Sequence, residues 1–341
     1  MEPRTYRLAG ERFIAGLHQP ALVYEFGLRS EADPGHLLRD CEFDPAALRD
    51  AESRVSPAEL LKMIGNTARA VAQPDTSFLL GQQWLPGHYG PASHALVHAG
   101  SLGDALAILC RHHATLTPLL RPRLLNEGDH AVLYWTDSFG SPALRPLLVE
   151  LHMSAVTAMC RWLAGERLPW RFCFNRARPR HAEQHAVHLG SALRFDCQLD
   201  AQIIDADWLR RPWPRAQIGA MQASLHGAEA DAEARDSLPS CLYDHLLANI
   251  RTPPTLESTA TDFGISPATL KRHLMQHGTH FQAELDLVRA HVSIYLMQIR
   301  GLDNEAVADH LGFHDARNFR RSFIRWTGLT PRGMRNTLLP A

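Results

Sequence analysis

The chain has 341 residues with 45% apolar content, a length and balance that suit two soluble globular domains. Its net charge of −1 gives no sign of a highly charged surface, although residues 240–341 carry eleven basic against nine acidic residues and residues 1–239 carry twenty-four against twenty-seven. No N-terminal signal peptide and no apolar run approaching a membrane span are expected, and Cys41, Cys110, Cys160, Cys173, Cys197 and Cys241 lack CxxC spacing, so they read as reduced core thiols of a cytoplasmic protein rather than a disulfide frame or zinc site.

The first 75 residues read as helical. Residues 12–26 carry a helical apolar pattern that Pro20 should interrupt. Ser56-Pro57-Ala58-Glu59 is an N-cap with Pro at the first helical position, starting a helix through Leu60, Leu61, Ile64, Ala68 and Val71 that Pro74-Asp75 stops. Residues 78–90 are dense in glycine and proline and read as a loop. Helices are expected at 92–99 and 101–119, the second with Ser101 as N-cap. Residues 121–126 and 130–135 read as a hairpin of alternating strands around Glu127-Gly128-Asp129. Residues 144–163 form a long amphipathic helix ended by Gly165. A strand at 170–174, a helix at 180–189 and short strands at 193–195 and 202–204 complete an α+β domain, a small mixed sheet backed by the 144–163 helix.

Residues 227–240 (GAEADAEARDSLPS) are small, acidic and poor in apolar side chains, and read as a tether with a helix-forming Ala/Glu run. This divides the chain into residues 1–226, a linker at 227–239, and an all-α domain at 240–341. In that last part Thr255 caps a short helix whose inner face is Leu256, Ala260 and Phe263, and Gly264 turns the chain. Ser266-Pro267 opens a second helix with Leu270 and Leu274 inward and Ala268, Lys271 and Arg272 outward. Phe281, Leu285, Val288, Val292 and Leu296 mark a long connecting helix. The pattern then repeats. Val307, Ala308 and Leu311 line a short helix that Gly312 ends, and His314-Asp315 opens another in which Phe319, Phe323 and Trp326 form one apolar stripe.

The face opposite that stripe carries Arg317, Arg320, Arg321 and Arg325. Two helices around a turn with a guanidinium-bearing face are what a helix-turn-helix places in the DNA major groove; the alternative is a solvated basic face over an ordinary core. From Leu311 onward six arginines stand against the single acid Asp315, which favours a phosphate partner.

The run Gly312-Phe313, Phe319, Arg321, Phe323, Trp326, Gly328 and Leu329-Thr330-Pro331 resembles the signature end of the AraC/XylS family of bacterial transcription regulators. That resemblance implies two helix-turn-helix units, here at about 255–276 and 303–327, joined by a long helix. It also implies double-stranded operator DNA and RNA polymerase as partners and a nucleoid-associated place in the cytoplasm, with an activator role expected but activation and repression both left open by the residues. Ala268, Lys271 and Arg272 match the positions the family uses on bases and phosphates, and Arg317, Arg320 and Arg321 are expected to contact DNA in the second unit. Thr259 stands where an aliphatic residue is usual and Ser293 where Ala is usual. Ala268 is short for a base-reading position, so the first unit should read fewer bases. Leu80-Gly81, Pro86-Gly87-x-x-Gly90, Ser101-Leu-Gly-Asp-Ala-Leu106, Phe195-Asp196 and Leu209 resemble the arabinose-binding-like effector and dimerisation domain of one branch of the family. A small-molecule effector and a homodimer are what this implies; the pattern is silent on the ligand.

Three constellations invite a chemical reading. His181, His185 and His188 share a helix face at a spacing that can hold zinc, but no Glu or Cys completes a site and a polar surface stripe is expected. Arg111-His112-His113 falls within a predicted helix, as a surface patch or an effector contact. The Pro86–Gly90 loop reads equally as a ligand cradle or a turn. No GxSxG, Walker loop, HExxH or GxGxxG before a helix is present, so no catalytic residues, cofactor or metal are assigned and no enzyme activity is expected. The leading reading is an effector-controlled transcription regulator; the alternative is a DNA-binding regulator controlled by a protein partner or a metal.

Overall fold

The computed structural model describes residues 6–230 and 235–334. Strand β1 (Ile14–Ala15) leads into helices α1 (Gln19–Arg29) and α2 (Pro34–Leu37), and pairs antiparallel with β2 (Arg54–Val55). Helices α3 (Pro57–Val71), α4 (Thr76–Gly81), α5 (Pro91–Val97), α6 (Leu102–Arg111) and α7 (His113–Leu116) follow. Next come β3 (Leu120–Glu127), β4 (His130–Asp137), α8 (Arg145–Ala164), β5 (Arg171–Cys173), α9 (Ala182–Leu189), β6 (Leu193–Arg194), β7 (Ala201–Asp205) and α10 (Ile218–Ala230). The five strands β3–β7 form one sheet in the order β3-β4-β7-β5-β6, antiparallel except for the parallel pair β5–β6. The C-terminal part is helical throughout: α11 (Leu238–Ala248), α12 (Leu256–Asp262), α13 (Pro267–Gln276), α14 (Phe281–Gln298), α15 (Asn304–His310), α16 (Ala316–Thr327) and α17 (Pro331–Met334).

Local sequence sets most helix starts. Ser56 accepts from the Glu59 backbone N–H while the Glu59 carboxylate accepts from the Ser56 backbone, a full capping box for α3. Pro20, expected to interrupt a helix, instead sits in the first turn of α1, where its missing N–H costs nothing. The predicted loop at 78–90 begins as helix α4, because Phe78 and Leu80 are buried. The predicted helix at 101–119 breaks at His112, and α7 starts anew at His113.

The sheet explains how the two parts meet. Ala131, Leu133 and Trp135 of β4 join the core that includes α8, while Val132 and Tyr134 join a second core shared with α11, α14 and the C-terminal helices. Strand β4 is therefore buried on both faces along Ala131–Thr136, not apolar on one side and polar on the other. Helix α8 is, among the described residues, the one helix long and apolar enough by composition to cross a membrane, which the sequence reading did not anticipate. Two-thirds of its most apolar window, 67%, is buried within the fold, and core packing accounts for its composition.

The segment read as an unpacked tether is packed where it is described. Residues up to Ala230 belong to α10, Ala228 is buried, and α10 lies against α5. Asp236 accepts from Arg121 Nη1 at 2.8 Å and lies 2.8 Å from His113 Nε2, and Leu238 is fully buried. Residues 1–5, 231–234 and 335–341 lie outside the described residues.

Candidate nucleic-acid interface and effector pocket

Each helix-turn-helix is built from caps outward. In the first, Thr255 caps α12, Gly264 takes a positive φ of 70° at the turn, and Ser266 accepts from the Thr269 N–H to start α13. Ala260, Phe263, Leu270 and Leu274 are buried between the helices. In the second, Asp303 caps α15 and Asp315 accepts from the Asn318 N–H to start α16. Gly312 stands between them at φ 72°, and a Cβ there would lie 1.9 Å from the Arg251 carbonyl oxygen, so no side chain fits. Helix α14 joins the units, with Leu285, Val288, Val292 and Leu296 buried along it.

Counting from each cap, Ala268, Lys271 and Arg272 occupy the second, fifth and sixth positions of α13, and Arg317, Arg320 and Arg321 the same positions of α16. All six are exposed, within the first six positions of the helix that a helix-turn-helix sends into the groove. Among the described residues none of these five cations has a carboxylate within 4 Å. Arg325 differs: its Nη2 pairs with Asp286 of α14 at 3.3 Å, which braces α16 rather than leaving a charge for a ligand. Phe319 and Phe323 are fully buried, whereas Trp326 is only partly so, its ring packed near Phe313 with the Arg289 guanidinium 5.8 Å away. The stripe thus buries two of its three aromatics. Thr259 is fully buried at the aliphatic position, and its hydroxyl has no partner among the described residues.

A sequence profile described as "Arabinose-binding domain of AraC transcription regulator, N-term" matches residues 32–213, more than half of the chain, and a "Helix-turn-helix domain" profile matches residues 259–337. The chain belongs to the AraC family of transcription regulators. Its relatives include the ornithine utilization regulator of Pseudomonas aeruginosa, 26% identical over 314 residues that make up 91% of each chain. The regulator VirS of Mycobacterium tuberculosis is 25% identical over 315 residues, 89% of this chain and 91% of VirS. The crystal structure of the transcriptional regulator CdpR from Pseudomonas aeruginosa aligns at 21% identity with a TM-score of 0.44, covering 92% of this chain and 98% of that one.

The AraC-type chain places its remaining constellations as follows. The three histidines are no surface stripe. His185 is buried edge-on against Phe78 and Phe174, with Nε2 3.1 Å from Glu150; the His188 ring stacks on Phe78 and bonds Gln82; only His181 faces solvent, beside Glu183. Among the described residues no group of His, Cys, Asp and Glu is arranged to hold a metal ion. His112 and the end of the Pro86–Gly90 loop come together instead, in the wall of a cavity of about 470 Å³ with Arg7, His18, Gln19 and Arg54. His18 is held below its ordinary value by burial and by the nearby Arg54 charge, and His112 by burial and Arg111, so both imidazoles favour the neutral form.

The joint between the two parts is polar at its rim. Arg123 Nη1 donates to Asp244 at 2.6 Å and Arg121 Nη1 pairs with both Asp244 and Asp236. Burial pushes the Asp236 carboxyl up, but His113, Arg121 and Arg123 outweigh it and hold the group below its usual range. The Arg123 guanidinium lies 3.9 Å over the Tyr243 ring, and Tyr243 shares hydrogen bonds with Tyr134 and His291. Sequence reasoning missed this cluster, although Arg121 and Arg123 at a spacing of two on a strand already share one face.

Proposed function

We propose that this DNA-binding transcription regulator reads a specific operator through Ala268, Lys271, Arg272, Arg317, Arg320 and Arg321, and that a small molecule bound within residues 1–226 controls it. The observation that carries the reading is the equivalence of the two exposed triplets at the second, fifth and sixth positions after the cap. The second unit offers an arginine where the first offers Ala268, so it reads more bases. Residues 240–341 bind DNA, residues 1–226 sense and pair two copies, and the protein works on cytoplasmic DNA with RNA polymerase. Pairing turns the second half-site contact into an intramolecular one, worth a factor of about 10²–10⁴ in avidity. What the P. aeruginosa relative's name says of ornithine supports a small-molecule signal but does not fix its chemistry here.

The test is operator titration at one fixed salt concentration, with an operator selected by the full chain from random DNA. A bidentate arginine–guanine contact discriminates by about 1–3 kcal/mol. Arg317→Ala and Arg320→Ala should weaken operator binding more than random-DNA binding. Equal losses on both would make them phosphate contacts and remove the base-reading role.

A further inference from the structure

We propose that the cavity between the end of β4, the start of α8 and the α13–α14 turn is a binding site for a small organic amine, and that the bound amine fixes how the first DNA-reading helix docks on the N-terminal part. This goes beyond the reading above: the site belongs to both parts of the chain and is independent of any effector held within residues 1–226.

The charge of the wall selects a cation. The cavity measures about 300 Å³, at the lower end of the range for small-ligand sites. Three carboxylates line it, Asp137, Asp200 and Glu284, against one guanidinium, Arg145. Arg145 is spent on Asp200 Oδ2, to which Nε donates at 3.1 Å and Nη2 at 2.8 Å. Asp137 accepts from three backbone N–H groups and Glu284 from the Thr279 hydroxyl at 2.6 Å, and among the described residues neither has a cationic side chain within 4 Å. The two histidines of the wall add no charge, because burial holds His277 below its ordinary value and pushes His291 down to about 3. Glu284 makes the demand specific. It is 9% exposed, and burial raises its carboxyl above the ordinary value although the Thr279 bond acts the other way. A buried carboxylate is stable as an anion only beside a positive partner, and a bound ammonium supplies one. His277, 2% exposed, adds a second demand: the Phe139 backbone is the one group placed to engage its ring, so at least one ring nitrogen lacks a partner among the described residues. An amine brings N–H donors for both, and Pro142, Pro239 and Leu287 of the same wall suit a short aliphatic body. An inorganic cation fits less well, since among the described residues no group of His, Cys, Asp and Glu is arranged to hold a metal ion.

The walls come from different parts of the chain. Asp137 ends β4, Arg145 begins α8 and Asp200 precedes β7, whereas His277 is the C-cap of α13 and Glu284 lies in the first turn of α14. A ligand that needs both walls binds the docked arrangement in preference to any other and shifts the equilibrium by that difference. Helix α13 carries Lys271 and Arg272, so the setting of those two cations follows the docking.

The probes are diaminobutane, butanediol and succinate, one four-carbon body with cationic, neutral and anionic ends, titrated against the full chain by calorimetry and thermal melting at constant ionic strength. Diaminobutane should bind and raise the melting temperature, butanediol should bind about tenfold more weakly or worse, and succinate should not bind. Glu284→Gln, which keeps the shape of the side chain, should weaken diaminobutane by about tenfold or more, its folding checked by the unliganded melt. Glu257→Gln, at an exposed acid on α12, should not. No diamine binding, butanediol or succinate binding as tightly, or equal losses in both variants would overturn the site. The three probes on the native chain judge it even where Glu284→Gln fails to fold. Saturating diaminobutane should also change the operator affinity of the native chain severalfold and leave that of Glu284→Gln unchanged. No change in the native chain, or an equal change in both, which would be the diamine acting on DNA, would overturn the route. Failure of the unliganded chain to select any DNA would sink the proposed function instead, and the DNA-free titration would still judge the cavity.

Discussion

Gly140 packs directly against the backbone of the C-terminal part, and replacing it with alanine measures how rigidly the two parts are joined. The residue takes φ 73°, and an added Cβ would fall 1.7 Å from the backbone oxygen of His277, at the end of α13. The loop cannot easily yield, since the Asp137 carboxylate accepts from the backbone N–H of Phe139, Gly140 and Ser141 at 2.9–3.0 Å. The left-handed backbone alone costs alanine about 1–2 kcal/mol. Forcing a methyl into a filled contact adds about 1–3 kcal/mol. Gly128→Ala supplies the control: it has φ 68° in the hairpin turn with nothing within 4 Å of the new Cβ. Urea unfolding of both variants should therefore show the larger loss for Gly140→Ala by about 1–3 kcal/mol. Proteolysis between residues 227 and 240 should rise in that variant alone. Equal losses, with equal resistance to protease, would show that the domains slide past each other freely and that their packing here is incidental.

Phe323→Ala, at a fully buried ring in the second unit, should cost about 3–5 kcal/mol and abolish DNA binding by melting the domain; an unchanged melting transition would contradict the assigned core. His152 is fully buried between Trp84 and Trp135, and burial lowers it from 6.5 to about 4. Below pH 6.5 the unfolded chain takes up a proton that the native state refuses, so stability should fall by on the order of 3 kcal/mol as pH drops toward 4. His152→Phe should flatten that slope in denaturation curves, and an unaltered slope would assign it to other groups. Glu150 accepts from Ser77 and Arg176 and faces His185, so Glu150→Gln should cost about 1.5–3 kcal/mol by calorimetry, and a neutral result would mean that water replaces the carboxylate.

What could be read in the sequence was what neighbouring residues decide. Thr255, Ser266, Asp315 and the Ser56–Glu59 pair cap helices through bonds spanning three residues, and each does so in the structure. The outward set from Ala268 to Arg321 followed from the same spacing. Pro20 is a local misreading, a first-turn residue that reads as a break, but the misreadings that bear on the sites involve partners far along the chain. His185 looks polar on its helix, but its neighbours Phe78, Glu150 and Phe174 arrive from three other segments. The acidic stretch at 227–240 has few apolar residues, yet Asp236 meets Arg121 from a strand more than a hundred residues earlier. Pairing His112 with Gln19 in one wall likewise needs the folded arrangement of α1 and α7.

Strand β4 has a genetic consequence. Its consecutive codons report to different masters: Leu133 faces the N-terminal core and Tyr134 faces the helices of the C-terminal part. Mutations one residue apart should then fall into separate phenotypic classes. Leu133→Ala should yield too little folded protein at any signal level. Tyr134→Phe, which keeps the ring but removes the hydroxyl shared with Tyr243, should yield normal amounts of a regulator whose output no longer follows its signal. A reporter screen across Ala131–Thr136 should show the two classes alternating along the strand, residue by residue, as the pleat does.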